Sequence, residues 1–99
     1  MAVISFTASE ENDVHLAVNA FGRDLQNALA NEFSDVKLIV FGPFEAGIYK
    51  IAGRYRMRYV LKCKNNPATR RLIAQLYSGF LEKSSGSVSI SVDMDPQSM

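Results

Sequence analysis

The stretch from Gly53 to Lys64 alternates between apolar and cationic side chains with the two-residue period of a β-strand. One side of such a strand can line a core and carries Tyr55, Met57, Tyr59, Leu61 and Cys63. The other side, interrupted only by Val60, carries Arg54, Arg56, Arg58, Lys62 and Lys64. Five cations cannot be buried without many counter-charges. We therefore expect a strand that faces a hydrophobic core on one side and forms a cationic surface on the other.

The charge of the chain is strongly segregated, although its formal net charge is only +1. Residues 1–49 contain two cations and seven acids, and residues 72–99 contain one cation and three acids. Residues 50–71 contain eight cations and no acid. A polyanion is therefore a candidate partner of this middle block.

Hydrophobic periodicity predicts strands over residues 1–7, 36–41, 53–64 and 87–93, and helices over residues 10–31 and 67–83. Ser9 and Asn66 are the expected N-caps, and Gly22 weakens the first helix at a position suited to close packing. Gly42-Pro43 is expected to stop the second strand, so that residues 42–53 form a long connection with a short extended piece over 48–52.

The order β-α-β-β-α-β predicts a ferredoxin-like α+β fold: a two-layer sandwich with an antiparallel sheet and both helices on one face. Ninety-nine residues suit a single domain, 1–99. The first and third strands are central in this arrangement. The cationic strand would then lie in the middle of the sheet, and its cations would lie on the face without helices.

That face is predicted to be polar and cationic, with serines of the last strand beside the arginines. Such a surface suits phosphate or carboxylate oxygens. RNA-recognition modules of similar topology instead expose aromatic side chains for base stacking. Exposing Tyr55 and Tyr59 would bury three arginines at several kcal/mol per unpaired ion, so we do not expect stacking on this strand.

The second predicted helix places Arg70 and Arg71 in its first turn, where the helix dipole disfavours cations. With Lys64 nearby, they suggest a phosphate site at the helix start; two solvated side chains are the alternative. The five cations of the predicted strand are the stronger indication of a contact, with either nucleic acid or an acidic protein surface.

Signs of catalysis or metal binding are few. Phosphate-loop and dinucleotide-binding glycine motifs do not occur in the sequence, and His15 has no metal-ligand partner at a suitable spacing. Cys63 is the only cysteine of the sequence, which excludes an intramolecular disulfide. It is expected to be a small core residue, although Lys62 and Lys64 could activate its thiol if it were exposed. The pair Asp93-x-Asp95 could hold magnesium, but a turn or an ion pair with the cationic face is the more common use of such a pair.

No apolar run approaches the length of a membrane span, and no secretion signal is visible, so a cytoplasmic setting is expected.

Several short motifs occur in a characteristic order. They are Phe41-Gly42-Pro43, Gly53-Arg54-Tyr55-Arg56 continuing through Tyr59-Val60-Leu61-Lys62, and the chain end from Val92-Asp93-Met94-Asp95-Pro96 to Met99. In this order the sequence resembles the C-terminal domain family of primosomal protein N′ (PriA), the bacterial replication-restart helicase. Met94 stands where that family more often has an aliphatic residue, and residues 1–40 match in layout more than in motif.

The resemblance implies that the chain is a fragment of a 3′-to-5′ DNA helicase whose ATP-binding motor lobes and zinc-binding region lie outside it. ATP with magnesium and structural zinc would then belong to the full-length protein, with no cofactor in this chain. Implied partners are branched, fork-type DNA, the helicase lobes, single-stranded DNA-binding protein and other primosome components, with no membrane.

Three hypotheses follow for the function. The leading one is a non-catalytic DNA-binding domain that contacts phosphates through Arg54, Arg56, Arg58, Lys62, Lys64, Arg70 and Arg71. The second is an intramolecular docking domain, in which the same cations grip the helicase lobes or a primosome partner and never touch DNA. The third is a free-standing RNA-binding protein of ribosomal type.

Overall fold

The computed structural model describes residues 1–51, 53–63, 66–83 and 87–94, without the side chains of residues 44–51 and 83. Its elements are β1 (Ala2–Ala8), α1 (Glu11–Ala30), β2 (Leu38–Ile51), β3 (Arg54–Cys63), α2 (Pro67–Lys83) and β4 (Val88–Met94). The order β-α-β-β-α-β confirms the predicted α+β class. The predictions for Lys64 and Asp95 lie outside the described residues.

The four strands form one antiparallel sheet in the order β2-β3-β1-β4. The cationic strand β3 is therefore central, as predicted, and pairs with β1 on one side and β2 on the other. In this register Ile4 lies opposite Tyr59 and Phe6 lies opposite Met57, and all four side chains are buried. The apolar positions of β1 and β3 thus share one face of the sheet.

Both helices cover this face. Phe6 of β1 lies between them, with ring centroids 5.3 Å from Phe21 of α1 and 5.6 Å from Phe80 of α2, both edge-to-face. Such pairs stabilise a fold by about 0.5–1.5 kcal/mol each beyond the area that they bury. The opposite face, called the open face below, is covered by neither α1 nor α2, and on β4 it exposes Ser89 and Ser91 as the alternation predicted.

The second strand differs from its prediction. β2 runs from Leu38 to Ile51, straight through Gly42 and Pro43, and pairs with β3 as a long hairpin instead of ending at residue 41. Gly42 has φ +105° and precedes a cis peptide bond, and the register shifts between Phe41 and Phe44. Glycine tolerates this φ, and proline is accepted at a bulge of an edge strand because its missing N–H breaks no outer ladder. The expected long connection is therefore wrong.

The predicted N-cap is confirmed for α2 but not for α1. The amide of Thr69 donates to Oδ1 of Asn66 at 2.9 Å, which confirms Asn66 as the cap of α2. At α1 the N-cap is Glu10, without a side-chain capping hydrogen bond, so the prediction of Ser9 is wrong. Glu11 and Asp13 in the first turn supply the favourable charge there instead. In the described part of the chain, neither helix is long and apolar enough to cross a membrane.

Candidate nucleic-acid interface

The arginines of β3 lie on the open face because the residues next to them along the strand are buried in the core. Met57, Tyr59 and Leu61 are buried, and the alternation of the strand turns the intervening side chains the other way. Four described cations lie on this face, called the cationic row below: Arg54, Arg56, Arg58 and Lys62. The prediction that β3 divides core from cationic surface is confirmed; Lys64 lies outside the described residues.

The arginines lie across β1 and are half-buried. Arg56 is in register with Thr7, and Arg58 is in register with Ser5 and has a buried Nε atom. Arg54 donates from Nη2 to the carbonyl oxygen of Thr7 at 3.3 Å, and its Nη2 lies 3.4 Å from the Thr7 hydroxyl. Side chains held in this way lose less conformational freedom when a ligand binds, and the planar guanidinium fork suits phosphate oxygens.

Hydroxyl groups continue the cationic row across the sheet. Thr7 lies between Arg56 of β3 and Ser89 of β4, and Ser5 lies between Arg58 and Ser91. Each of these two arginines is therefore followed across the sheet by two hydroxyl groups. Serine and threonine hydroxyls, like arginines, commonly contact phosphate oxygens without reading sequence. This part of the face can therefore bind a polyanion with hydrogen bonds as well as charge.

The other end of the open face is apolar, which differs from the polar and cationic face that the sequence predicted. Ile39 is in register with Lys62 and Phe41 with Val60, so both share the face of the cationic row. Their side chains are 55% and 47% exposed. The face is therefore not wholly polar, and it exposes the aromatic ring of Phe41, which belongs to β2 and not to β3. The alternation of Ile39 and Phe41 was visible in the sequence, but the face that they occupy depends on the pairing register of β2.

Arg70 and Arg71 do not join the cationic row. Both are exposed on α2, in the layer on the opposite side of the sheet. Arg70 borders a groove of about 580 Å³ beside Tyr77, Val92 and Met94, whereas Arg71 borders a separate recess with Glu32 and Asp35. Their role as a phosphate site stays a prediction.

The start of α2 also has few amides to offer an anion. Pro67 has no N–H, the amide of Thr69 donates to the Asn66 side chain, and the amide of Arg70 donates to the Asn66 carbonyl at 3.0 Å. Of the first four residues, only Ala68 is left to supply an amide to a ligand. A helix-terminal anion site needs several such donors.

The remaining candidates for chemistry are scattered. His15 is exposed on α1, and Cys63 is half-buried at the end of β3 with Sγ 3.6 Å from the Leu61 carbonyl oxygen. Asp93 is exposed on β4, in register with Val3 on the open face. Among the described residues, no group of three or more histidine, cysteine or acidic side chains is placed to hold a metal ion.

Comparison with solved structures shows the same fold in other sequences. A de novo designed protein, Foldit4, superposes with a TM-score of 0.60 over 96% of each chain, at 12% sequence identity. At this identity the likeness concerns the fold alone. A search of curated proteins finds no match.

The sequence profile described as the primosomal protein N C-terminal domain matches residues 1–97, which is nearly the whole chain. This family is a non-catalytic domain of the primosomal protein and indicates a role in replication restart. The match includes the first 40 residues, where the sequence motifs alone were weak. The chain belongs to the family of primosomal protein N C-terminal domains.

Proposed function

We propose that this chain is a DNA-binding domain of the primosomal replication-restart helicase, and that the cationic row contacts phosphates of branched DNA. The observation that carries the proposal is the position of four cations on a sheet face without helices, flanked by the hydroxyls of Thr7, Ser5, Ser89 and Ser91. The domain would act as one part of a larger cytoplasmic protein whose motor lobes supply the ATP-dependent step.

Binding of this kind has a defined dependence on salt. Each phosphate neutralised on duplex DNA contributes about −0.9 to the slope of log K against log salt concentration. Four contacts give a slope of about −3.6, which is roughly a hundredfold loss of affinity between 50 and 200 mM salt. Contacts to phosphate carry no sequence information, so duplexes of equal length and different sequence should bind alike.

The test compares two triple alanine variants that remove the same charge. One replaces Arg54, Arg56 and Arg58 of the cationic row; the other replaces Arg23, Arg70 and Arg71 of the helix layer. Affinity for a forked DNA is measured at low salt by fluorescence anisotropy. We expect at least a tenfold loss for the first variant and less than threefold for the second. Equal losses would mean that the helix layer contributes as much as the row, through a phosphate site at Arg70 and Arg71 or through charge in general, and would remove the assignment to the row.

A docking domain is the second candidate, and the exposed Ile39 and Phe41 of edge strand β2, which share the open face, favour it. Apolar side chains exposed together are typical of protein interfaces. This function requires that the wild-type chain bind no DNA even at low salt. It also requires that substitutions in the cationic row of the longer protein weaken the attachment of this domain to the motor lobes.

A further inference from the structure

Among the side chains that the structure describes on the open face, one exposed aromatic ring, that of Phe41, lies at the edge of the cationic row. We propose that Phe41 stacks on an unpaired base while the flanking cations hold the neighbouring phosphates, so that this face prefers DNA with unpaired nucleotides. The inference rests on the proposed function, because it names the form of DNA that the same face would select.

The position of Phe41 leaves its ring accessible. Its side chain is 47% exposed on β2, which is an edge strand with no further strand beyond it. On the inner side it lies opposite Val60, which in turn lies opposite Val3, a residue only 7% exposed. The ring therefore stands at the rim of a small aliphatic floor and is open towards solvent.

Cations lie on both sides of this ring. Lys62 is opposite Ile39 and is therefore a diagonal cross-strand neighbour of Phe41. On the other side, Arg58 is two residues from Val60, across the register shift after which it pairs with Phe44. Diagonal neighbours on one face of a sheet are about 7–8 Å apart. A base that stacks on Phe41 would thus place its backbone within reach of positive charge in either direction along the strand.

Stacking on an aromatic ring selects for unpaired bases. A base inside a duplex is already stacked on its neighbours, whereas an unpaired base has a free face for the ring. Positively charged grooves with exposed aromatic rings bind single strands with little sequence preference in the same way. An apolar protein partner would use Phe41 as a hydrophobic contact, for which leucine is a fair substitute.

The chain has four tyrosines and no tryptophan, so Phe41→Trp introduces a single tryptophan at the proposed contact, whose emission can be excited selectively. This variant is titrated with a dye-labelled oligothymidylate, and DNA anisotropy and tryptophan emission are recorded together. We expect emission to be quenched in step with the rise in anisotropy. Leu16→Trp is the matched control: Leu16 is 60% exposed on α1, in the helix layer, and its emission should stay unchanged on binding.

Two further substitutions separate stacking from hydrophobic contact. Phe41→Leu should weaken oligothymidylate binding about tenfold and change blunt-duplex binding less than twofold, whereas Phe41→Tyr should keep both affinities. Binding without quenching of the introduced tryptophan, or equal losses on both DNAs in Phe41→Leu, would overturn the stacking role and leave the phosphate contacts in place. No rise in anisotropy with any DNA would overturn the proposed function itself and this inference with it.

Discussion

Tyr59 joins β3 to α1 through one buried hydrogen bond, and Gly22 leaves the room for it. The Tyr59 hydroxyl donates to the carbonyl oxygen of Val18 at 2.8 Å, and the side chain is 4% exposed. A Cβ atom added to Gly22 would lie 2.5 Å from that hydroxyl. Glycine inside a helix costs about 1 kcal/mol relative to alanine. The close packing that the sequence suggested for Gly22 thus has an identified partner.

A double-mutant cycle tests this pairing. Gly22→Ala should lower the free energy of unfolding by about 1–3 kcal/mol, because the new methyl group displaces the Tyr59 hydroxyl in a packed core. In a Tyr59→Phe background the obstructing oxygen is gone and the nearest ring carbon is 3.5 Å away, an ordinary contact. There the same substitution should raise stability by up to about 1 kcal/mol through helix propensity. Urea denaturation of the four proteins measures both values; the same sign in both backgrounds would refute the pairing.

Tyr59 also gives stability a dependence on alkaline pH. Burial raises the pKa of its hydroxyl above the ordinary value of about 10, because the phenolate would lose its hydration. The folded state therefore holds the proton more tightly than the unfolded state. This contribution is fully present below about pH 10 and is lost as the pH rises through the folded pKa.

The corresponding prediction compares the wild type with Tyr59→Phe. At neutral pH the wild type should be more stable by about 0.5–1.5 kcal/mol, which is the typical net contribution of one hydrogen bond. The difference in free energy of unfolding should shrink as the pH increases from about 8 to about 11, since only the wild type has this group to ionise. A constant difference over that range would show that Tyr59 does not titrate with unfolding.

Among the elements, the two helices differ in how they start, and this difference is measurable. Asn66→Ala removes the side-chain acceptor of the Thr69 amide and should lower the free energy of unfolding by about 1 kcal/mol. Asn66→Asp keeps an acceptor and should preserve stability. Ser9→Ala, the control at α1, should change stability by less than about 0.5 kcal/mol, since the cap there is Glu10. A loss at Ser9 equal to that at Asn66 would contradict the observed caps.

The elements that the sequence predicted well are those with a clear hydrophobic period. Val14, Val18, Phe21 and Leu25 form the buried stripe of α1, and β3 and β4 show strict alternation. The predicted β2 ends at residue 41 because Gly42-Pro43 is typical of a turn, whereas an edge strand can accommodate both residues in a bulge. Whether a strand lies at an edge is a property of the whole sheet, and local sequence does not contain it.

At the scale of the molecule, the candidate site shows the same limit: local sequence predicts the face on which a strand residue lies, but not which elements lie next to one another. Alternation alone assigned the cationic row to the open face, because burying several arginines would cost more than any local preference could offset. It could not show that Arg70 and Arg71 lie in the other layer, or that Phe41 lies beside the row. Those positions follow from helix packing and from the register of β2 against β3.

The distance between acids of the helix layer and the open face leads to a last prediction. Asp24 is half-buried and Glu32 is exposed on the helix side, and the shortest dimension of the Cα trace is 17 Å. DNA on the open face would therefore lie farther from these acids than the Debye length of about 10 Å at 0.1 M salt, but within the length of about 30 Å at 0.01 M. Asp24→Asn with Glu32→Gln should raise DNA affinity less than twofold at the higher salt and severalfold at the lower. Anisotropy titrations measure both values, and a severalfold gain at 0.1 M would place the bound DNA near the helices instead of on the open face.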